Sequence, residues 1–231
     1  MRVAIVENTR VTHHGQVGVA LHEAGALIDL YKPWVNSILP SADSYDALVV
    51  FGGEQSARAD ATHPYLPALA ALIRDSGTSG RATLGICLGA QLMARGFGAD
   101  NHLGTAREFG WQVVHLTDEG RADPVLSHLP DSFPIFQWHS DTFTLPPGAS
   151  HLARSEGASM QCIRTGRASY GMQFHFEASR AVAADWSRTF PDLTEQIVPG
   201  WHAALPTLAA SLGVQADAHG LAIARAWVGL I

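Results

Sequence analysis

The segment that most constrains the fold is a short cysteine-centred turn within residues 83–93. An apolar run ends at Cys87, a helical pattern begins at once, and Gly85 and Gly89 lie two residues to either side. A sharp strand-to-helix turn needs small neighbours, because its central residue adopts strained backbone angles. The pattern predicts a nucleophile elbow, which exposes Cys87 at the carboxyl end of a sheet and at a helix amino terminus, where the helix dipole favours the thiolate.

The same spacing also fits a turn with no chemical role. Free cysteines are among the most buried residues of proteins, and Cys87 would then pack as a small apolar side chain, as alanine or serine could. The three residues alone do not separate these interpretations. A catalytic cysteine requires a partner base elsewhere in the chain.

Apolar runs and helical patterns alternate through the first hundred residues. Strands that are apolar throughout are those covered on both faces, and strand–helix–strand order implies a right-handed parallel crossover. The sequence therefore predicts an α/β fold with a doubly wound, mostly parallel central sheet. Its predicted strands are residues 3–7, 26–31, 46–51 and 81–86, and its predicted helices are residues 16–24 and 65–75.

The second half of the chain has a different pattern. Shorter apolar runs separated by glycine and proline predict added antiparallel strands at residues 111–116, 134–138, 159–164 and 168–176. A helix is predicted over residues 178–188, and at least two amphipathic segments follow between residues 193 and 231. We expect a main domain over residues 1–190 and a helical carboxy-terminal extension, residues 191–231, packed on that domain.

Composition excludes several classes of function. The net charge of −6 and the lack of a basic stripe disfavour nucleic-acid binding. The first residues lack a long apolar segment, so we expect a cytoplasmic protein without a membrane span. The two cysteines, Cys87 and Cys162, are expected to form no disulfide, and the scattered histidines predict neither a metal nor a cofactor.

A partner for the cysteine lies at the end of the last predicted strand. His175 and Glu177 are two residues apart, and in a strand this spacing puts both side chains on the same face. The carboxylate would orient the imidazole, which would take the thiol proton of Cys87 and later protonate a leaving group. The pair could also be half of a metal site, but the neighbouring elbow favours a Cys-His-Glu triad.

Five motifs spread over roughly residues 3–180 resemble those of class I glutamine amidotransferase domains, in particular the stand-alone domains similar to that of GMP synthetase. They are Gly52-Gly53, Gly85 to Gln91, Glu108 to Trp111, Trp138 to Asp141, and Gly171 to Glu177. The resemblance implies a flavodoxin-like fold. It also implies hydrolysis of the side-chain amide of glutamine through a cysteine thioester, giving glutamate and ammonia.

The resemblance also assigns roles to individual residues. Cys87 would attack the amide carbonyl, His175 would protonate the departing ammonia, and Glu177 would orient His175. The backbone N–H groups of Gly53 and Leu88 would hold the oxyanion. The residues implied to bind glutamine are Gly52, Gln91, Trp138, His139 and Ser140. Glu108 could serve the pocket or lie in a solvated loop, and we expect the loop.

Two positions depart from the family pattern. Phe176 stands where the family usually has proline between the histidine and the glutamate, and Glu54 stands where proline usually follows the paired glycines. The first change could shift the geometry of His175 and Glu177. The second could alter the oxyanion loop or add negative charge near the pocket.

The sequence leaves three functions open. The chain has no phosphate-binding loop, so use of the ammonia would need a separate synthetase partner. The protein could instead be a free-standing hydrolase of γ-glutamyl amides or peptides, or a non-catalytic binding protein that has kept the fold. The apolar carboxy-terminal residues fit either core packing or a homodimer contact.

Overall fold

A computed structural model describes all 231 residues of the chain, and a mixed sheet of nine strands lies at its centre. The strands of the chain are β1 (Arg2–Val6), β2 (Leu27–Tyr31), β3 (Ala47–Val50), β4 (Ala82–Ile86), β5 (Asn101–His102), β6 (Glu108–Leu116), β7 (Ser132–His139), β8 (Thr142–Phe143), β9 (Ser150–Arg154), β10 (Cys162–Thr165) and β11 (Ser169–Met172).

Nine α-helices flank the sheet or follow it. They are α1 (Gly15–Glu23), α2 (Pro33–Asn36), α3 (Leu66–Thr78), α4 (Leu88–Gly96), α5 (Asp118–Arg121), α6 (Arg180–Thr189), α7 (Pro191–Ile197), α8 (Trp201–Leu208) and α9 (Val214–Val228), with a π-helical segment, Ala209–Gly213, between the last two.

The strand order of the main sheet is β2-β1-β3-β4-β11-β10-β9-β6-β7. The first five strands are parallel to their neighbours, and every pairing from β11 to β7 is antiparallel. Strands β5 and β8 form a separate antiparallel pair. The predicted doubly wound α/β sheet with added antiparallel strands is confirmed.

Strand β1 illustrates how both faces of the sheet are covered. Val3 and Ile5 pack into the larger apolar core with residues of α1 and α9, whereas Ala4 and Val6 pack into a second core with residues of α3 and α4. This alternation follows from the two-residue period of a strand. Strand β2 lies at the sheet edge, where Leu27 and Leu30 are half exposed or more, so the expected covering of both faces does not extend to it.

The carboxy-terminal helices contribute to the larger core. Ile223 and Trp227 of α9 are completely buried there, and Trp201 of α8 is nearly so. The helices predicted after Glu177 are therefore present, while the division of the chain at residue 190 stays a prediction.

No single helix is long and apolar enough to cross a membrane. Only α7 and the helical stretch Trp201–Val228 taken together have the length and apolar composition of a membrane span, and the two are bent by 87° relative to each other.

The end of β11 differs from the prediction. A strand was expected over residues 168–176, but β11 ends at Met172, and His175 forms an isolated antiparallel bridge with Phe136 of β7. The His175 N–H donates to the Phe136 carbonyl at 2.8 Å. The chain leaves β10 and β11 to reach β7, so His175 and Glu177 are not brought together by a regular strand.

The glycines around Cys87 allow α4 to lie directly on the central strands. A Cβ atom on Gly89 would overlap the carbonyl oxygen of Val50 in β3, and one on Gly85 would overlap the carbonyl of Gly89 itself. Neither position can accept a side chain without moving backbone atoms. Close backbone packing therefore fixes the turn between β4 and α4.

Replacing Gly89 with alanine should lower the free energy of unfolding by about 3 kcal/mol, because the new methyl group must displace backbone rather than a flexible side chain. Urea unfolding followed by circular dichroism measures this loss. Gly229→Ala is the matched control, since its Cβ would meet no atom closer than 3.3 Å. Equal stability of the two variants would contradict this explanation of the turn.

Candidate active site

Cys87 lies at the turn between β4 and α4 with φ 53° and ψ −108°, and only one other non-glycine residue of the chain, Ser37, has positive φ. Such a conformation costs on the order of 1–3 kcal/mol and persists only where the surroundings hold it. The Cys87 N–H donates to the carbonyl of Met172 in β11 at 2.8 Å. The side chain thus lies at the carboxyl ends of adjacent parallel strands.

His175 and Glu177 form a close buried pair. The distance from His175 Nδ1 to Glu177 Oε1 is 2.6 Å, and the two side chains are 8% and 2% exposed. The other carboxylate oxygen, Oε2, has no hydrogen-bond donor, so the imidazole is the main compensation for this buried charge. A proton on Nδ1 leaves Nε2 as the ring nitrogen available to a substrate.

Gly52 lies between the imidazole and the cysteine. A Cβ atom at this position would be 3.2 Å from His175 Cε1 and 3.3 Å from Cys87 Cβ. Both side chains therefore border the same glycine, and the structure brings together the three residues predicted as a triad. A larger residue at position 52 would push these side chains apart.

The pKa of His175 is raised well above its ordinary value. Burial by itself lowers this pKa, but the negative charges of Glu177 and Cys87 outweigh burial. These charges favour the protonated form of the imidazole. This arrangement suits a group that protonates a departing amine.

The backbone N–H groups predicted to hold an oxyanion are without backbone acceptors. The Gly53 N–H donates to no carbonyl of the protein, and Leu88 is the first residue of α4, where an N–H has no intrahelical acceptor. The two residues are neighbours, since a Cβ on Gly53 would lie 3.0 Å from Leu88 Cδ2. Both donors remain available to a ligand.

One cavity of about 1000 Å³ joins all the residues predicted for the site. Its wall includes every one of them: Gly52, Gly53, Cys87, Leu88, Gln91, Trp138, His139, Ser140, His175 and Glu177.

Gln91 offers one free polar atom to this cavity. Its side-chain nitrogen donates to Gln173 Oε1 at 3.1 Å and to the Asp141 carbonyl at 3.4 Å. These bonds fix the orientation of the amide. The Gln91 Oε1 atom accepts no hydrogen bond from the protein, so it is the part of this side chain that a ligand can use.

The three residues of the Trp138–Ser140 segment make different polar contacts. The Trp138 carbonyl accepts a contact from Cys87 Sγ at 3.7 Å. Ser140 is exposed, and its hydroxyl donates to Asp141 Oδ1 at 3.2 Å. Both ring nitrogens of His139 are engaged within the protein, Nδ1 with the Asp141 carbonyl and Nε2 with Glu108, each at 3.1 Å. His139 therefore positions this segment rather than presenting a free nitrogen.

The expectation that Glu108 lies in a solvated loop is wrong. Its side chain is 7% exposed, and its Oε2 atom accepts hydrogen bonds from His139, Ser155 and Gln161 at 3.1, 2.9 and 2.6 Å. These donors come from distant parts of the sequence, which a local pattern does not reveal. Glu108 is the acceptor that joins β6 to the Trp138–Ser140 segment.

Neither departure from the family pattern separates His175 from Glu177. The Phe176 N–H donates to no backbone acceptor, so the backbone at this position does not need an N–H group, which proline lacks. The phenylalanine ring is buried in the core. The exposed Glu54 side chain turns to Thr9, whose hydroxyl donates to Oε1 at 2.9 Å. Glu54 therefore adds a carboxylate to the cavity rim without contacting Cys87.

An aromatic group at the site was not predicted from the sequence. Trp186 of α6 packs edge-on against His175, with ring centroids 5.2 Å apart, and Phe190 packs edge-on against Trp138 at 5.7 Å. The sequence showed only an apolar helical pattern, which is typical of core helices.

No group of three or more histidine, cysteine, aspartate or glutamate residues is placed to hold a metal ion.

Removing the Glu177 charge should lower the pKa of His175. In Glu177→Gln the carboxylate that favours the imidazolium is lost, while burial continues to favour the neutral ring, so the pKa should fall. NMR titration of the His175 ring, assigned with a His175→Asn variant, measures the change. Glu54→Gln is the control and should leave the pKa unchanged; an unchanged pKa in Glu177→Gln would contradict the assignment.

Removing the Glu108 carboxylate should destabilise the fold. Glu108→Ala leaves three donors without their acceptor, and the free energy of unfolding should fall by about 3 kcal/mol. Urea unfolding is the measurement, with Glu156→Ala as the control, because Glu156 borders the same cavity but is exposed. A loss no larger than that of the control would show that the Glu108 network is unimportant for stability.

Comparisons with known proteins agree with this geometry. The sequence profile described as glutamine amidotransferase class-I matches residues 17–185. The glutamine amidotransferase-like protein YfeJ of Salmonella typhimurium is 38% identical over 181 residues, which cover 77% of this chain and 76% of that protein. One subunit of the glutamine-hydrolysing GMP synthase of Methanoregula boonei is 29% identical over 177 residues, covering 74% of this chain and 89% of that protein.

A solved structure extends the likeness over nearly the whole chain. The glutamine amidotransferase of Thermotoga maritima superimposes with a TM-score of 0.85 at 25% identity and covers 98% of each chain. Most of the carboxy-terminal helices therefore lie within the shared fold. By its sequence profile and its relatives, the chain belongs to the class I glutamine amidotransferase family.

Proposed function

We propose that the protein hydrolyses the side-chain amide of glutamine through a γ-glutamyl thioester on Cys87. The observation that carries this proposal is the 2.6 Å contact of His175 Nδ1 with Glu177 Oε1, in a pair that borders Cys87 across Gly52. A cysteine at a strained elbow, a base beside it and a carboxylate behind the base form a nucleophilic triad.

The reaction begins with attack by Cys87 Sγ on the amide carbonyl carbon. The electron pair of the carbonyl moves to oxygen, and the N–H groups of Gly53 and Leu88 stabilise the resulting oxyanion, which is worth roughly 3 kcal/mol for each donor. The C–N bond then breaks as protonated His175 gives its proton to the nitrogen. Ammonia and a thioester result.

The second half of the reaction uses the same imidazole as a base. Neutral His175 takes a proton from water, the water oxygen attacks the thioester carbonyl, and the C–S bond breaks to release glutamate and restore the Cys87 thiolate. Glu177 stabilises the imidazolium at both stages. The proton that His175 takes from water replaces the one that it gave to ammonia, so the enzyme ends in its starting state.

The glutamine itself is held by polar groups around the elbow. The free Oε1 of Gln91 accepts a hydrogen bond from the substrate, and Gly52 and the Trp138–Ser140 segment border the reacting amide. His139 acts through Glu108 as a positioning residue. Transfer of ammonia to a separate synthetase partner is supported by the likeness to the GMP synthase subunit of Methanoregula boonei. The cytoplasmic location of the protein and its assembly into a homodimer stay predictions.

The cavity supports a second candidate, hydrolysis of larger γ-glutamyl amides. Its volume of about 1000 Å³ is at the upper end of the range for pockets that hold drug-sized ligands, well beyond the needs of glutamine alone. In this case the released amine replaces ammonia, and the steps at Cys87 and His175 are the same. The two candidates differ only in the group attached to the amide nitrogen.

Replacing Cys87 with alanine should reduce glutamate release from glutamine by at least about a thousandfold, because the nucleophile is lost. Cys162→Ala is the matched control: this second cysteine is fully buried in the core, and burial raises the pKa of its thiol, so the variant should keep the activity. An enzyme-coupled glutamate assay measures both variants.

Two results would contradict the proposal. Equal activity of wild type and Cys87→Ala would exclude the thioester. Binding of glutamine without turnover of glutamine or of any γ-glutamyl amide would instead support a non-catalytic binding protein.

A further inference from the structure

The position of the leaving group in the cavity follows from the triad. The amide nitrogen must lie beside His175 Nε2, because this atom protonates it, and the His175 ring packs edge-on against Trp186 with centroids 5.2 Å apart. Any substituent on that nitrogen therefore begins within reach of Trp186. The glutamyl part extends the other way, to Gln91 and the oxyanion donors.

From Trp186 an apolar surface continues outward. Trp138 packs edge-on against both Trp186 and Phe190, with centroid distances of 5.7 Å in each case. Helix α7 adds Leu193 and Ile197, which border the same cavity yet remain 44% and 42% exposed. We call Trp186, Phe190, Leu193 and Ile197 the apolar wall. It lies beyond the reacting amide, and ammonia as the leaving group would not occupy it.

The loop beside the apolar wall holds a negatively charged side chain. The Trp186 indole donates to the Val11 carbonyl at 3.0 Å, which places the loop after β1 beside the wall. In that loop Thr9 holds the carboxylate of Glu54 at the cavity rim. His13 is already paired with Asp185 at 2.9 Å, so it does not offset Glu54. A leaving group that carried a carboxylate would be repelled here.

We infer that the preferred substrates are γ-glutamyl amides of uncharged aliphatic or aromatic amines, whose amine part packs on the apolar wall. This inference rests on the proposed thioester mechanism. The bond between the γ-carbonyl carbon and the amine nitrogen breaks, the bond to Cys87 Sγ forms, and His175 gives its proton to the amine. Water then hydrolyses the thioester, so no further reactant is needed.

A matched series of γ-glutamyl amides tests the inference. The methylamide and the isobutylamide release amines of similar basicity and differ chiefly in apolar size, while γ-glutamylglycine adds a carboxylate. We expect kcat/KM to be at least about tenfold higher for the isobutylamide than for the methylamide, glutamine or γ-glutamylglycine, since added methylene groups in an apolar pocket commonly give this discrimination.

Variants of the apolar wall make the test specific. Leu193→Asp and Ile197→Asp should each bring the ratio of isobutylamide to methylamide kcat/KM close to one, and both positions are exposed enough to accept a charge without unfolding, which thermal unfolding checks. Val214→Asp is the matched control, because Val214 is a 46% exposed apolar residue on α9 outside the cavity wall. This variant should keep the wild-type ratio.

The outcomes separate the inference from the proposed function. Cys87-dependent turnover of glutamine and the methylamide with no gain for the isobutylamide would overturn the inference alone. An equal loss of the ratio in Val214→Asp would also overturn it. No turnover of any compound by the wild type would overturn the thioester mechanism, and the inference with it.

Discussion

Close packing of α4 against the central strands holds Cys87 in a strained backbone conformation, and the site depends on this contact. Gly89 touches the Val50 carbonyl and Gly85 touches Gly89, so only glycine fits at both positions. The hydrogen bond from the Cys87 N–H to Met172 ties the turn to β11. Strain on the order of 1–3 kcal/mol is therefore carried by core contacts, which keep the thiol exposed to the cavity at a helix amino terminus.

The imidazole is placed by parts of the chain that are far apart in sequence. The His175 N–H is bound by Phe136 of β7, and the Glu177 carbonyl accepts from the N–H of Gln16 at the start of α1 at 3.0 Å. Trp186 of α6 packs edge-on against the ring. These contacts tie the His175–Glu177 pair to the amino-terminal, middle and carboxy-terminal segments of the chain.

Much of the fold and the three central residues could be predicted from the sequence, because they leave local signals. Buried parallel strands are apolar throughout, and the elbow needs small residues at fixed spacing around Cys87. The end of β11 at Met172, the burial of Glu108 and the exposure of Leu193 to the cavity could not be predicted. Each of these depends on contacts between distant segments, and the sequence of an amphipathic helix is the same whether its apolar face meets a core or a ligand.

The most direct test of the thioester mechanism is to trap the acyl-enzyme. The protein would be mixed with a γ-glutamyl amide, quenched in acid within the first turnovers, digested and analysed by mass spectrometry. We expect a γ-glutamyl group on the peptide that contains Cys87 and none on the peptide that contains Cys162. Continued turnover by protein whose Cys87 is fully alkylated, or an acyl group on another residue, would contradict the mechanism.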